Sequence, residues 1–303
     1  MSRPDQNSGA HADLKERVRA FWQEHPCGTK FSDAAMGTPE FFERVEAHRY
    51  NKEWHIPEAA NFAGTRGLRV LEIGCGLGTD GAQFARAGAV YTGVDLTEAA
   101  IELARTRFEV SGLKGDFQVA DAENLDFADE SFDLVYSHGV LHHTPDTARA
   151  VREIHRVLRP GGRAIVMLYH RGSYNYRIGI RLLRRAGAGL LKSKAGIKIV
   201  HRLTGEPLDS LREHAALLRD THNGNVSSAE LLNQSTDGAG NPLARVYSRR
   251  EARELFRDFR EVELRAYFLN KRFIPLVGNF LPRVIESALA SRWGWHLWIY
   301  AKK

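Results

Sequence analysis

Cysteine is nearly absent: Cys27 and Cys75 are the only two in 303 residues. Two thiols cannot build a disulfide framework or a Cys-rich zinc site, and a reducing cytoplasm is the expected home. Long apolar runs are missing as well, and none approaches the ~18 residues of a membrane-spanning helix. The opening Met1-Ser2-Arg3-Pro4-Asp5-Gln6-Asn7-Ser8 has no apolar stretch, so a secretory signal is not expected. The chain has neither an internal repeat nor a low-complexity tract. With 43% apolar and 26% charged residues it is balanced like a globular protein, which excludes a disordered chain, a rod and a collagen-like fibre.

Acid is missing from one long stretch. Residues 154–205 contain no Asp or Glu but twelve Lys and Arg, in a chain whose net charge is +6. Arg177, Arg181, Arg184 and Arg185 fall at i, i+4, i+7 and i+8, beside Ile178, Leu182 and Leu183. That spacing predicts a basic amphipathic helix, although Gly179, Gly187 and Gly189 each cost it about 1 kcal/mol relative to Ala. Such a helix either faces water or rests on an anionic surface, so peripheral membrane contact through 171–202 is one expectation.

Elsewhere the pattern alternates. After a polar tail over residues 1–12, helical periodicity appears near 13–23 and 39–50. From residue 68 short β-rich runs (68–73, 89–94, 117–120, 132–136, 163–168) alternate with helical windows (79–87, 97–110, 145–158), the signature of a parallel sheet wound on both faces. Thr97 is the expected N-cap of the second window. A further helix is expected at 208–218 and a turn at 237–242. Ser248 with Glu251 predicts a capping box opening a helix to about residue 259. Two late strands are expected at 261–268 and 295–301.

Chemistry gathers at strand ends. Glu72-Ile73-Gly74-Cys75-Gly76-Leu77-Gly78-Thr79-Asp80 runs from a strand through a glycine turn into a helix. Such a turn lets a ligand approach the backbone. Asp95 ends the second strand about twenty residues on, where a carboxylate can hold a ribose diol. Asp121 ends the third, followed by Ala122 and Glu123, and an acid there can accept from an adenine amine. Three such features on consecutive strands converge on one crevice. A dinucleotide fingerprint needs Gly-x-Gly-x-x-Gly. Here Gly78 comes one place early, which argues against a nicotinamide-dependent oxidoreductase.

The loop resembles the first motif of class I S-adenosylmethionine-dependent methyltransferases. Ala120-Asp121-Ala122-Glu123-Asn124-Leu125, Ser131-Phe132-Asp133-Leu134-Val135 and Leu158-Arg159-Pro160-Gly161-Gly162 resemble that family's later landmarks, in order. The resemblance covers about residues 66–170. It implies an α/β fold: a Rossmann-like, seven-stranded, mostly parallel sheet with helices on both faces. It divides the chain into an N-terminal helical cap (1–65), a cofactor-binding core (66–170), a helical insertion capping the acceptor (171–245) and a C-terminal completion of the sheet (246–303). It also implies S-adenosylmethionine as cofactor. Glu72, Gly74, Cys75, Gly76, Gly78, Thr79, Asp80, Asp95, Leu96, Asp121, Ala122, Glu123, Ser137 and His138 would line the cofactor site.

Arg49 or Tyr50 could reach the cofactor carboxylate from the N-terminal helices, and both are candidates for acceptor contacts as well. His138, His142 and His143 are candidates for a general base, since imidazole titrates near neutrality. His142, His143, Tyr169, His170 and Tyr174 are candidates for acceptor contacts. No metal is expected. The Ser137-His138-Gly139-Val140 segment lacks the Asn/Asp-Pro-Pro pattern of many nucleic-acid and protein amino-methyltransferases, and Pro26-Cys27 precedes the loop rather than following it. Both absences point to a small-molecule acceptor with an O, N or S atom; if the basic helix forms, an amphiphilic acceptor such as a quinone or lipid-linked intermediate is expected. A small thiol or sulfide acceptor, an RNA-binding methyltransferase and a non-catalytic cofactor-binding regulator are the alternatives. No DNA partner is expected.

Overall fold

The computed structural model describes residues 6–184, 240–270 and 281–303 continuously, and 189–191, 193–204, 207–209, 211–212, 215–216 and 232–233 in short pieces. Seven strands form one sheet: β1 (Arg69–Ile73), β2 (Val90–Asp95), β3 (Asp116–Val119), β4 (Phe132–His138), β5 (Leu158–Tyr169), β6 (Glu261–Tyr267) and β7 (His296–Lys302). Their order is β3-β2-β1-β4-β5-β7-β6. The first five run parallel; β7 runs antiparallel to both β5 and β6.

Alternation along the strands builds two cores. Val70, Leu134, Tyr136, Ile165, Met167 and Trp298 enter the cluster on one face. Their chain neighbours Leu71, Val135, Ala164, Val166, Leu168, Leu297 and Ile299 enter the other. Successive side chains of a strand point to opposite faces, so near-continuous apolar runs mean burial on both. α3 (Ile56–Ala60) and α4 (Thr79–Arg86) cover the first face, while α6 (Thr147–Val157) lays Ala150, Val151, Ile154 and Val157 on the second. α6 starts at Asp146, whose side chain accepts from the Arg149 amide.

α1 (Gln6–Glu24), α2 (Pro39–Lys52) and α5 (Glu98–Val110) complete the first half. α1 begins within the stretch expected to fray; residues 9–13 are exposed, so no apolar period announces the helix there. A wide π-type helix spans Asn175–Arg184 where an α-helix was expected, followed by α7 (Lys194–Thr204). The expected helix at 208–218 is described only in fragments. Residues 237–239 of the expected turn lie outside the described residues, as do Arg185, Gly187 and Lys192 and the side chains of Leu183 and Arg184. Ser248 opens α8 (Arg249–Leu255) with a complete capping box, though the helix stops four residues early. α9 (Arg283–Trp293) had no visible sequence pattern, because only Glu286 and Ala290 are buried on it. Among the described residues no helix is long and apolar enough to cross a membrane.

Candidate functional site

The parallel strands deliver their last residues to one edge of the sheet, and strand order reverses between β1 and β4, the place where open α/β sheets bind ligands. Gly74, Gly76 and Gly78 form the turn after β1, all with positive φ (76°, 50° and 69°). At Gly74 a Cβ would also lie 2.1 Å from a Val140 methyl. At Gly76 nothing stands within 4 Å of that position, so the backbone there faces open space. The Gly74 and Cys75 amides both donate to the Val94 carbonyl, at 2.7 and 3.0 Å. Cys75 itself is buried, which pushes its thiol pKa well up.

Asp95 closes β2 with its carboxylate turned back on the loop. It accepts from the Gly76 amide (3.1 Å), the Thr97 amide (3.0 Å) and the Thr97 hydroxyl (2.9 Å). The Leu96 amide contributes as well, and together these donors oppose the rise in pKa that burial imposes on the carboxyl. Thr97 does stand at the start of α5, but its side chain makes no cap hydrogen bond; it donates to Asp95 instead. Leu96 is half-buried beside it.

The third strand end is held by a residue the sequence did not single out. Lys15 of α1 reaches Asp121 and Glu123, at 2.6 Å each. Asp121 also accepts from the Glu123 amide. Glu123 is buried and takes further bonds from the Thr144 hydroxyl and the Asp146 amide. Burial alone would raise its pKa, but these donors outweigh it and hold the carboxylate below its ordinary range. Ala122 packs against the core on the α6 face.

Arg49 and Tyr50 come from α2 to the same loop, where they meet Asp80. Arg49 donates to it at 2.9 and 2.5 Å, Tyr50 at 2.9 Å and Tyr136 at 2.8 Å. Burial opposes ionisation of Asp80, yet the Arg49 charge and these bonds keep its pKa below the usual value. Thr79 accepts from Arg107, a buried guanidinium paired with Glu46. Glu72 turns away from the loop to accept from Tyr91 at 2.6 Å, and burial with the nearby Asp80 charge raises its pKa well above normal. Ser137 is fully buried and donates to the Ile73 carbonyl, tying β4 to β1.

Beyond β4 the surroundings become aromatic. His138 ends that strand, with Arg49 Nη2 3.2 Å from its Nδ1 and its Nε2 buried without a partner. Guanidinium can only donate, so Nδ1 accepts and the neutral ring carries its proton on Nε2. Burial and the Arg49 charge lower its pKa well below the ordinary value. His55, His138 and His296 converge here from the N-terminal helices, β4 and β7, with ligand-capable atoms within 4.8 Å of one another. His55 and His296 were not visible as a pair in the sequence. The available signal was topological: β7 runs antiparallel, so its first residue reaches the edge where β4 ends. The spacing could admit a metal, but Arg49 brings a permanent positive charge to His138 and occupies its Nδ1 lone pair.

His142 is fully buried, its ring centroid 3.7 Å from Tyr169, and neither ring nitrogen has a hydrogen bond of good geometry. Burial, then the adjacent His143, hold it neutral. His143 bonds through Nδ1 to the Leu243 carbonyl and packs against Trp22 of α1. Tyr169 stacks on Trp295 at 4.3 Å. His170 bonds to the Gly294 carbonyl at 3.0 Å, and Tyr174 is half-buried in the segment that follows.

A Rossmann-like sheet ending in β5-β7-β6, with a glycine loop after β1 and acids after β2 and β3, defines the class I methyltransferase architecture. The described family "Methyltransferase domain" matches residues 71–166. A ubiquinone biosynthesis O-methyltransferase of Aromatoleum aromaticum is 34% identical over 61% of this chain and 74% of its own length. A fatty-acid O-methyltransferase of Mycolicibacterium smegmatis is 36% identical over 62% and 69%. A phthiotriol/phenolphthiotriol dimycocerosates methyltransferase of Mycobacterium ulcerans is 47% identical, but over only 32% of this chain and 35% of that one. The crystal structure of PH0226 protein from Pyrococcus horikoshii OT3 shares the fold at 16% identity and a TM-score of 0.51, covering 94% of this chain and 98% of that one. The chain belongs to the class I S-adenosylmethionine-dependent methyltransferases, and it acts on small molecules. The oxidoreductase alternative falls with that membership.

Proposed function

We propose that the enzyme methylates a hydroxyl oxygen on a flat, amphiphilic molecule, with His142 as the base and His138 as the donor that orients the acceptor oxygen. The observation that carries this reading is the pair of buried, neutral imidazoles beyond β4: His138 Nε2 has no protein partner, and His142 has only a weak contact with the Met167 backbone, with no hydrogen bond of good geometry at either nitrogen. Buried polar groups without partners are rare and ask for a ligand. His138 departs here from the base role expected of it, because Arg49 fixes its proton on Nε2. His142 has no such constraint, so one of its nitrogens is an acceptor. The aromatic walls around them (Tyr169, Trp295, Trp298) suit a ring-bearing apolar body. The named O-methyltransferases among the relatives support an oxygen acceptor of lipophilic character.

S-adenosylmethionine, when bound, supplies a methyl group on a positively charged sulfur with a neutral leaving group. The open backbone at Gly76 and the Asp95 carboxylate held at the end of β2 fit such a ligand. Gly74, Gly76 and Gly78 would line its amino-acid portion, Asp95 its ribose, and Asp121 with Ala122 its adenine edge. Arg49, bound to Asp80, keeps one edge toward the same space, its side chain a quarter exposed. The protein's task is then to align the acceptor oxygen, exclude water and remove one proton. A phenol-type hydroxyl is protonated at neutral pH and needs that removal.

The test is labelled methyl transfer to alkyl-substituted catechols and hydroquinones, with long-chain thiols and amines beside them. His142→Asn should lower kcat by about 10²–10⁴-fold, the usual range for a general base, with recovery at high pH where the acceptor ionises unaided. Methylation of thiols or amines alone, or full oxygen methylation by His142→Asn, would overturn the reading.

A further inference from the structure

One residue past Tyr169 the chain enters a different environment. His170 lines an open cleft of about 670 Å³ whose other walls carry Arg171, Arg177, Arg181, Arg249 and Arg250. Arg171 is paired with Glu251 at 2.9 Å. Among the described residues no carboxylate pairs with Arg177, Arg181 or Arg250. Arg249 is held by the Leu264 and Ser291 carbonyls, at 3.0 Å each, so its guanidinium is positioned rather than free to swing away. The π-type helix contributes to this arrangement by presenting Arg177 and Arg181 one wide turn apart, both exposed. His170 registers the convergence: burial lowers its pKa first, and the charges of Arg249 and Arg177 add to that.

We propose that this cleft binds a phosphate group. Guanidinium presents a planar fork of donors that matches phosphate oxygens two at a time. Guanidiniums with no carboxylate partner among the described residues repel each other across one space until an anion sits between them, and a phosphate offers them more oxygens than a carboxylate does. The group belongs either to a soluble phosphorylated molecule or to a lipid headgroup. Leu182, in the same helix and 58% exposed, offers an apolar contact beside the arginines. Tyr169 faces the histidine-lined pocket and His170 the arginines, so the strand end separates two subsites by one residue. Resting on the methyltransferase reading, this assigns the acceptor an anionic end remote from the oxygen that is methylated.

The experiment uses the full chain at low salt. Sodium pyrophosphate is titrated calorimetrically, and flotation compares phosphatidylglycerol with phosphatidylcholine vesicles. Arg177→Gln with Arg181→Gln, and separately Arg250→Gln, are compared with the control Lys114→Gln, an exposed lysine between α5 and β3. Each preparation is also titrated with S-adenosylhomocysteine. Binding of pyrophosphate identifies a soluble ligand, and binding of phosphatidylglycerol vesicles alone identifies a headgroup. In either case the double variant should bind at least tenfold more weakly, with the control and the homocysteine titration unchanged. Absence of both interactions, or equal binding by the arginine variants, overturns the phosphate site. Failure of the wild type to bind S-adenosylhomocysteine would instead strike the methyltransferase reading and leave the cleft to be judged by the phosphate data.

Discussion

The two halves of the strand-end edge are built on opposite principles. On the side of β1, β2 and β3 the carboxylates are heavily bonded: Asp80 takes four hydrogen bonds, Asp95 three and Glu123 three from outside its own turn. On the side of β4, β5 and β7 neutral imidazoles and aromatic rings stand together with ring nitrogens left over at His138 and His142. The first half is organised before any ligand arrives, as a site for an invariant cofactor can be. The second keeps hydrogen-bonding capacity in reserve, as a site for one particular acceptor must. Preorganisation lowers the cost of binding, whereas reserved polar groups penalise any molecule that fails to meet them.

The sharpest way to break this contrast is to strand a charge on the bonded side. Asp80→Asn keeps the shape and leaves Arg49 with only the more distant Glu53 carboxylate, 3.7 Å away. Breaking a buried pair in this way typically costs about 3–5 kcal/mol, and chemical denaturation should show a loss of that size. A loss under 1 kcal/mol would mean that the Asp80 network is loose and the distinction between the halves overstated.

Acid titration probes the other half. His55, buried and next to His296, is lowered to about 3, and His138 and His142 are lowered as well. Their unfolded pKa lies near 6.5. Below that value the unfolded chain binds more protons than the fold, so stability falls as pH falls, by about 1.4 kcal/mol per pH unit for each histidine. Glu72 acts in the opposite sense, because burial raises its pKa and the fold holds a proton that the unfolded chain releases above about 4.5. His48, His155 and His170 are lowered too, against Glu72 and Asp95 raised by burial, so the histidines outnumber the carboxyls and stability should fall between pH 6 and 5. Denaturation midpoints at pH 7, 6 and 5 measure this directly. Equal stability at the three values would show that the imidazoles are already hydrated or charged.

The same contrast explains what could be read from the amino-acid sequence. The groups of the proposed cofactor side lie within a few residues of a strand end: the loop at Gly74–Gly78 follows β1, Asp95 closes β2, and Asp121 comes just after β3. Local spacing therefore exposed them, together with the sheet that aligns them. The proposed acceptor side joins His55, His138 and His296, the first and last separated by 241 residues. No local pattern encodes that meeting, which depends on β7 running antiparallel. Lys15 escaped notice for a similar reason, since only the packing of α1 brings it to Asp121 and Glu123. Arginines four apart fit a π-type helix as well as an α-helix, so spacing does not separate the two, and α9 buries too little to show a period.

Thr97 offers the finest test, because sequence and structure assign it different tasks. As an N-cap its loss would weaken α5, and Thr97→Val would lower stability by about 1 kcal/mol with little effect on ligand affinity. In the structure its hydroxyl donates to Asp95 while the backbone amide of the same residue does so independently. Removing the hydroxyl should leave Asp95 in place but less firmly oriented. One hydrogen bond to a charged group is worth about 1.5 kcal/mol or slightly more, so S-adenosylhomocysteine should bind roughly tenfold more weakly. The denaturation midpoint of the ligand-free protein should fall as well, because the bond is present before any ligand binds. A shift confined to stability would return Thr97 to the capping role and leave Asp95 oriented by backbone amides alone.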